Sequence, residues 1–513
     1  MFNNDKINRL AVFRVDSSDQ IGTGHLTRCL TLASSLVEQG YECLFIATQD
    51  EKKGPGVPQL GGFSVHWIPP EPDSAPGADG WVEYDLLRTK EIVSRLPQSP
   101  DWLIVDHYDI DSRWELEMRS YVSKIMVIDD LADRTHDCDL LLDQNLVASM
   151  DDRYQMKLPP KCITLLGPRY ALLNREYASL RDKTSSREGP VENVLIFFGG
   201  ADTSNMTGRC IDSFLELQRP DIEVTVVAGP NHPYIKELTP QIEPHSNIHL
   251  QSNLPTLAPL ISKADVAIGA SGCTNWERLC LGLPSLVITL APNQVPIASE
   301  CDNRKLVRWV GNAESVTQTE ITTALKAIIE DGLDPAWSRR CGDTVDGEGL
   351  DRVCAAITVG RETEVSIRHA VLSDEDLVLD WANDPTTRLN AFNPEKISIN
   401  EHQVWFRKRI QNLGRCYFYI AETETGIPVG QVRFERQADK WEIHYSIGPS
   451  LRFRGLGRKV LRAALNQLRM EEPGSLTFGQ VKTANIASMK VFESLEFSMS
   501  GSEEGKRVFQ CQL

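Results

Sequence analysis

The sequence predicts two consecutive α/β domains built on parallel sheets, followed by a smaller α+β domain. Three observations carry this. Through about residue 355, continuous apolar runs alternate with amphipathic stretches, the pattern of strands buried on both faces. A polar stretch from about Arg181 to Pro190, containing KTSSREGP, divides that region in two. Beyond Gly360, hairpin-like runs replace the alternation. A length of 513 residues agrees with roughly three domains at about 150 residues each.

The strands of the first half are RLAVFRV, ECLFIAT, DWLIVDH and KIMVIDD. Those of the second are VENVLIFF, EVTVVAG, ADVAIGASG and SLVITLA. Alternating strands and helices of this kind make two Rossmann-like domains, placed at 1–182 and 190–358, with a cleft between them. The third domain, 364–513, reads as helices, then antiparallel strands (RCYFYIAETETGIPVGQVRFERQ and KWEIHYSIGP), then a Gly-rich turn and a helix. There is no short-period repeat and no low-complexity segment.

Hydrophobic content of 41% and charged content of 24% are those of an ordinary globular chain. A net charge of -17 argues against a nucleic-acid partner and against docking on anionic membranes. The N-terminal MFNNDKINRLAVFRV has neither a signal-peptide pattern nor a spanning run, so a cytoplasmic location is expected. Twelve scattered cysteines without CxxC read as reduced core residues, and the histidines show no metal-ligand spacing, so no metal is expected. An acidic protein that binds anions must concentrate positive potential locally.

The ends of the strands are where ligands sit in open α/β sheets. In DSSDQIGTGHLTRCL, Gly22 and Gly24 let the backbone approach a ligand and His25 opens a helix whose inner face is Leu26, Cys29, Leu30, Ala33 and Leu36. The positive end of the helix dipole disfavours imidazolium there, leaving an imidazole that can take a proton. The same residue would equally serve as a cap or a packing group. Gly199 and Gly200 in FFGGAD offer backbone N–H groups at another strand end, as does any tight turn. In GASGCTNWERL, Ser271, Gly272 and Thr274 lie at a helix start suited to a diphosphate. Glu277, one turn on, can accept two ribose hydroxyls or close a capping box. LAPNQ brings Asn293 and Gln294 to the same cleft.

Taken together, DSSDQIGTGHLTRCL, IVDHY, VIDD, FFGGAD, SGCTNWE and LAPNQ resemble the UDP-sugar hydrolase of the pseudaminic acid pathway. The resemblance spans residues 1 to about 355. It implies a glycosyltransferase-B-like fold and hydrolysis of UDP-2,4-diacetamido-2,4,6-trideoxy-β-L-altropyranose at its anomeric carbon, giving UDP and free sugar. His25 falls on that family's general base on water, and Tyr108 and Asn293 fall on positions that orient sugar or water. Asp16 and Asp130 are weaker candidates, because acidic residues at strand ends often only cap helices.

In the third domain, RFRGLGRKVL follows a strand and opens a helix, with Arg452, Arg454, Gly455, Leu456, Gly457 and Arg458 in the turn that would cradle a pyrophosphate. TANIASMKVFESLEF follows, with Asn485 at its helix start. This unit resembles the GNAT acetyltransferases, which implies acetyl-CoA as co-substrate. The run WANDPTTRLNAFNPEKISINEHQVWF is similar to the acetyltransferase that modifies the 4-amino group of the same UDP-sugar, one step before hydrolysis. Phe492 stands where many GNAT proteins carry the tyrosine that protonates the leaving thiolate. Glu442 and His444 share one strand face, with Tyr445 on the other, and either could take the amine proton through water or simply face solvent.

The sequence therefore points to a bifunctional enzyme acting on small-molecule UDP-sugar and acetyl-CoA. A glycosyltransferase, or a non-catalytic UDP-sugar-binding module fused to an acetyltransferase, is the alternative. Sugar stereochemistry, transfer between sites and oligomeric state are not encoded legibly.

Overall fold

The computed structural model describes residues 9–16, 24–49, 59–70, 80–199, 202–229, 232–252, 254–412, 414–503 and 505–513. The chain divides into two compact units, Met1–Cys354 and Ala355–Leu513.

The first unit holds two sheets. One comprises β1 (Arg9–Val15), β2 (Tyr41–Thr48), β3 (Gln59–Leu60), β4 (Phe63–Ile68), β5 (Trp102–Asp106), β6 (Lys124–Ile128), β7 (Leu140–Asp143) and β8 (Ile163–Leu166). Their order is β3-β4-β2-β1-β5-β6-β7-β8, parallel throughout except for the short β3. The other comprises β9 (Asn193–Phe197), β10 (Glu223–Val227), β11 (Ile248–Gln251), β12 (Val266–Gly269), β13 (Ser285–Thr289) and β14 (Arg308–Asn312), in the order β11-β10-β9-β12-β13-β14 and all parallel. These are the two Rossmann-like sheets expected from the continuous apolar runs. The central β1 carries RLAVFRV with all but its first residue buried, because helices cover both faces.

Strand order reverses between β1 and β5 in the first sheet and between β9 and β12 in the second. Crevices open at such points. A shared apolar cluster fixes the two crevices relative to each other: Leu146, Val147, Ala171 and Tyr177 pack with Ala267, Trp276, Leu279 and Ala298. The polar stretch near Pro190 is firmly held. Arg187 is buried and donates to the carbonyls of Ala264 (3.2 Å) and Ile261 (2.7 Å). The chain later returns to the first sheet's half, where Gly349 sits so close to Ala171 that a Cβ would lie 2.4 Å from its carbonyl oxygen.

The second unit is a mixed sheet of β15 (Val365–His369), β16 (Cys416–Thr423), β17 (Pro428–Gln437), β18 (Lys440–Ile447), β19 (Leu476–Lys482), β20 (Ser498–Glu503) and β21 (Lys506–Gln512). Its order is β15-β16-β17-β18-β19-β21-β20. Only β18 and β19 run parallel, and they pair over just Lys440–Glu442 and Leu476–Phe478 before parting. The helix Leu456–Glu471 covers one face through Leu456, Val460, Leu461, Ala464, Leu465 and Leu468.

Candidate functional site

The first crevice is built around His25, in the first turn of the helix Gly24–Glu38 and only 7% exposed. Its Nδ1 lies 2.6 Å from Oδ1 of Asp106, the last residue of β5. A ring N–H at Nδ1 donating to this carboxylate leaves Nε2 as the lone-pair nitrogen. Arg28, one helical turn further, donates from Nε and Nη2 to the two oxygens of Asp106, each at 2.6 Å. Burial would raise the Asp106 carboxyl, but the Arg28 and His25 charges and their hydrogen bonds outweigh it and hold the group well below the usual carboxylate range. Asp106 is therefore a fixed negative charge behind the imidazole.

The network continues to the other sheet. Arg28 Nη1 is 3.6 Å from Asp130. The Tyr108 hydroxyl donates to Asp130 at 3.3 Å and accepts from the side-chain amide of Asn293 at 3.2 Å. The Tyr108 ring meets His25 edge-on, with centroids 4.7 Å apart. The structure thus brings together His25, Tyr108, Asp130 and Asn293. It adds Asp106 and Arg28, which sequence reasoning missed although Asp106 lies inside the IVDHY signal.

Asp16 is placed differently from Asp130. All of its acceptor capacity is engaged, by Arg14 (2.6 Å), the Thr48 backbone N–H (2.7 Å) and side chain (3.0 Å), and His107 (3.1 Å). It ties the end of β1 to the ends of β2 and β5. Gly22 and Gly200 lie outside the described residues. The two halves meet at Gly24, where a Cβ would lie 3.4 Å from the Cys273 sulfur, an ordinary contact. Gln144 reaches the same sulfur at 3.7 Å.

In the second sheet, Gly199 lies two residues beyond β9 with φ +93°. Ser271 follows β12 and is fully buried, its hydroxyl without a hydrogen-bond partner among the described residues. Gly272 precedes the helix Thr274–Cys280, and a Cβ on it would sit 4.0 Å from the Gln294 amide nitrogen. Gln294 itself accepts from the Leu290 backbone at 3.0 Å. Burial pushes the Glu277 carboxyl up, and its Oε2 has no hydrogen-bond partner among the described residues. A cavity of about 410 Å³ opens between the loop after β7 and the helix Val295–Asn303, lined by Val147, Arg153, Pro296 and Glu300 among others. Arg153 donates to the Asp130 carbonyl, so this cavity adjoins the His25 network.

In the second unit, Glu442 is the last paired residue of β18 before it parts from β19. Burial and then Glu435 raise its carboxyl. His444, on the same face, is lowered to about 4 by burial and by Arg433. Tyr445 faces the opposite way, its hydroxyl 3.0 Å from that of Ser488. The turn before the helix Leu456–Glu471 has left-handed backbone at Phe453 (φ +61°) and Gly455 (φ +77°), and the helix start has no side-chain cap. Leu456 is buried, and Gly457 lets the helix meet Val491 at 3.3 Å from a would-be Cβ. The side chains of Arg452 and Arg454 are committed to protein. Arg452 binds Asp384 (2.6 Å) and Thr387 (2.7 Å), and Arg454 binds the carbonyls of Ala356, Val359 and Ser450. Arg458 stays exposed. Asn485 caps the helix Ile486–Ser494 through Ser488 N–H at 3.1 Å. Phe492 is 2% exposed, stacked on Phe509 and packed over Gly479. It is a core residue.

Residues 364–498 match the family model described as acetyltransferase (GNAT) domain. The C-terminal unit carries a GNAT domain. The N-terminal region is homologous to the UDP-2,4-diacetamido-2,4,6-trideoxy-beta-L-altropyranose hydrolase of Campylobacter jejuni, 28% identical over 56% of this chain and 94% of the relative. An uncharacterized protein of Methanocaldococcus jannaschii is 25% identical over 97% of this chain and 99% of its own, so its alignment runs through both the hydrolase-like region and the GNAT domain. Among solved structures, MurG of Acinetobacter baumannii superposes with a TM-score of 0.46 and 13% identity, covering 68% of this chain and 98% of that one. No helix among the described residues is long and apolar enough to cross a membrane.

Proposed function

We propose that the chain acetylates the C4 amine of a UDP-linked amino-sugar in its GNAT domain and hydrolyses the acetylated UDP-sugar in its first unit. The second reaction is the one named for the Campylobacter relative, with UDP-2,4-diacetamido-2,4,6-trideoxy-β-L-altropyranose as substrate. The observation that supports it best is the His25–Asp106 pair, 2.6 Å apart, at the sheet's switch point. Water attacks the anomeric carbon and loses a proton to His25 Nε2 while the bond to UDP breaks and the diphosphate leaves with its electron pair. Asp106 holds the imidazole in the accepting tautomer and stabilises the imidazolium that forms. One such base contributes about 10²–10⁴-fold. Asn293 and Tyr108 orient sugar or water. The turn at Ser271, Gly272 and Thr274, together with Gly199, faces the diphosphate, and the open oxygen of Glu277 accepts from the ribose.

For the GNAT domain the co-substrate is acetyl-CoA, which supplies the acetyl group as a thioester. The turn fits its pyrophosphate: the left-handed residues Phe453 and Gly455 and an uncapped helix start leave backbone N–H groups for an anion. Because Arg452 and Arg454 are tied to protein, the reading rests on backbone donors and on Arg458. Glu442, whose carboxyl is raised above the ordinary value by burial and by Glu435, takes the amine proton through water; His444, lowered to about 4, is the weaker candidate. Phe492 has no hydroxyl to give, so the Tyr445 hydroxyl, kept protonated by a pKa pushed up to about 12, is the proton donor to the leaving thiolate.

The test is to incubate the 4-amino UDP-sugar with the purified chain, with and without acetyl-CoA, and follow UDP. UDP release that needs acetyl-CoA and vanishes in His25→Ala is the expected result. Acetylated UDP-sugar accumulating without UDP would remove the hydrolase reading and favour a glycosyltransferase or a binding module.

A further inference from the structure

Phe453 is the most exposed of the large apolar side chains among the described residues, at 96%. It also has φ +61°, a left-handed conformation that a bulky side chain rarely adopts. The turn that imposes this is fixed on both sides. Arg452 is bound to Asp384 and Thr387, and Arg454 to the carbonyls of Ala356 and Ser450. The phenyl ring is therefore displayed at the tip of a rigid turn, without packing against the protein. Strain and exposure in one residue are costs that folding alone does not explain.

In acetyl-CoA the pyrophosphate is joined through one methylene to the ribose that carries adenine. A ligand anchored by this turn necessarily brings its base within a few bonds of the turn. We propose that the Phe453 ring is a stacking platform for the purine base of the nucleotide co-substrate. This rests on the reading that the turn takes acetyl-CoA. A flat, exposed π-face binds a base through its own π-face without needing hydrogen bonds. It would make the domain discriminate nucleotide-bearing acyl carriers from bare pantetheine carriers.

The experiment is calorimetric titration of the full chain with CoA and, separately, with 4′-phosphopantetheine, which lacks the 3′-phospho-AMP half and so the base. Phe453→Gly is the informative variant, because glycine adopts φ +61° freely and cannot disturb the turn by strain. It should weaken CoA binding about tenfold and leave 4′-phosphopantetheine binding unchanged, while Phe453→Trp restores CoA affinity. Unchanged CoA affinity in Phe453→Gly, or an equal loss for both ligands, overturns the stacking role while leaving acetyl-CoA as the co-substrate. A wild-type chain that binds no CoA removes both readings together.

Discussion

The side-chain amide of Asn293, beyond β13, donates to the hydroxyl of Tyr108, beyond β5, at 3.2 Å. This bond joins the two parallel sheets and completes a chain of contacts running through Asp130, Arg28 and Asp106 to His25. His25 in one half is thereby linked, through Tyr108, to a side chain of the other. Asn293→Ala and Tyr108→Phe should each slow UDP release by about tenfold, the value of one positioning hydrogen bond of ~1.4 kcal/mol. Because both remove the same bond, the double variant should be no slower than the slower single one. Multiplied losses in steady-state kinetics would show that the two residues act independently.

Asp106 faces two buried partners, His25 and Arg28, and one substitution bears on both. In Asp106→Asn the imidazole loses its carboxylate acceptor, and the amide can hold the ring in the wrong tautomer. UDP release should fall by about 10²–10⁴-fold. Arg28 also loses the nearer of its two carboxylates and keeps only Asp130 at 3.6 Å, so the urea midpoint should drop by an amount equivalent to about 1–3 kcal/mol. An unaltered rate with lowered stability would make Asp106 a purely architectural partner of Arg28.

The sequence made some of this legible and hid the rest for physical reasons. Strands buried on both faces announce themselves by continuous apolar runs, as in β1, β5 and β9. The four-residue β7, β8 and β11 (LLLD, ITLL, IHLQ) are too short to carry a period, and β4 alternates in exposure at an outer position. His25 was legible because a histidine at a helix start after glycines is unusual. Asp106 was not, because nothing local separates it from Asp16 or Asp130, and its decisive partners lie 78 and 81 positions away. Phe492 was visible as a departure from the GNAT pattern. That it fills the space over Gly479 depends on a contact between a helix and a strand that no local motif encodes. Likewise, an arginine in a phosphate-type turn reads as a ligand, whereas Arg454 is bound to backbone carbonyls.

His136 links stability to pH. Its Nδ1 lies 2.7 Å from Glu115 and its Nε2 3.8 Å from Asp129, all buried. Burial would lower its pKa, but the two carboxylates outweigh this and raise it to about 9. A folded value above the unfolded one means stabilisation that is complete below about pH 6.5 and lost as pH rises through 9. Wild type should lose about 3 kcal/mol of unfolding free energy over that window from this group alone. His136→Gln should be less stable at pH 6 and show a flatter profile between pH 6.5 and 9 in chemical denaturation. Parallel profiles for the two proteins would remove His136 as the titrating group.

In the proposed acetyl transfer, Tyr445 supplies the hydroxyl that Phe492 lacks. Its phenol lies 3.0 Å from the Ser488 hydroxyl and touches the Phe492 ring edge-on, at a centroid distance of 6.0 Å. Tyr445→Phe keeps the packing and removes only the proton. It should lower the kcat of acetyl transfer by about tenfold to a hundredfold and leave the KM for acetyl-CoA unchanged. A raised KM with unchanged kcat would assign the hydroxyl to binding instead.

Glu442 and His444 share one face of β18, and their surroundings shift them in opposite directions. Burial first, then Arg433 directly opposite His444 and Arg409, oppose a positive imidazole and outweigh the attraction of Glu435. At about 4, His444 is neutral throughout any practical assay range. Glu442 instead faces Glu435, and burial together with that charge raises its carboxyl above the ordinary value. A carboxylate must be deprotonated to accept the amine proton, so acetyl transfer should fall as pH drops through the raised pKa of Glu442. Glu442→Gln should abolish that acidic limb and reduce the rate at neutral pH by about a hundredfold. His444→Gln should keep the limb in place. Glu435→Gln, by removing the opposing charge, should move the limb to lower pH. A limb that persists in Glu442→Gln and disappears in His444→Gln would reverse the assignment and make the histidine the proton acceptor.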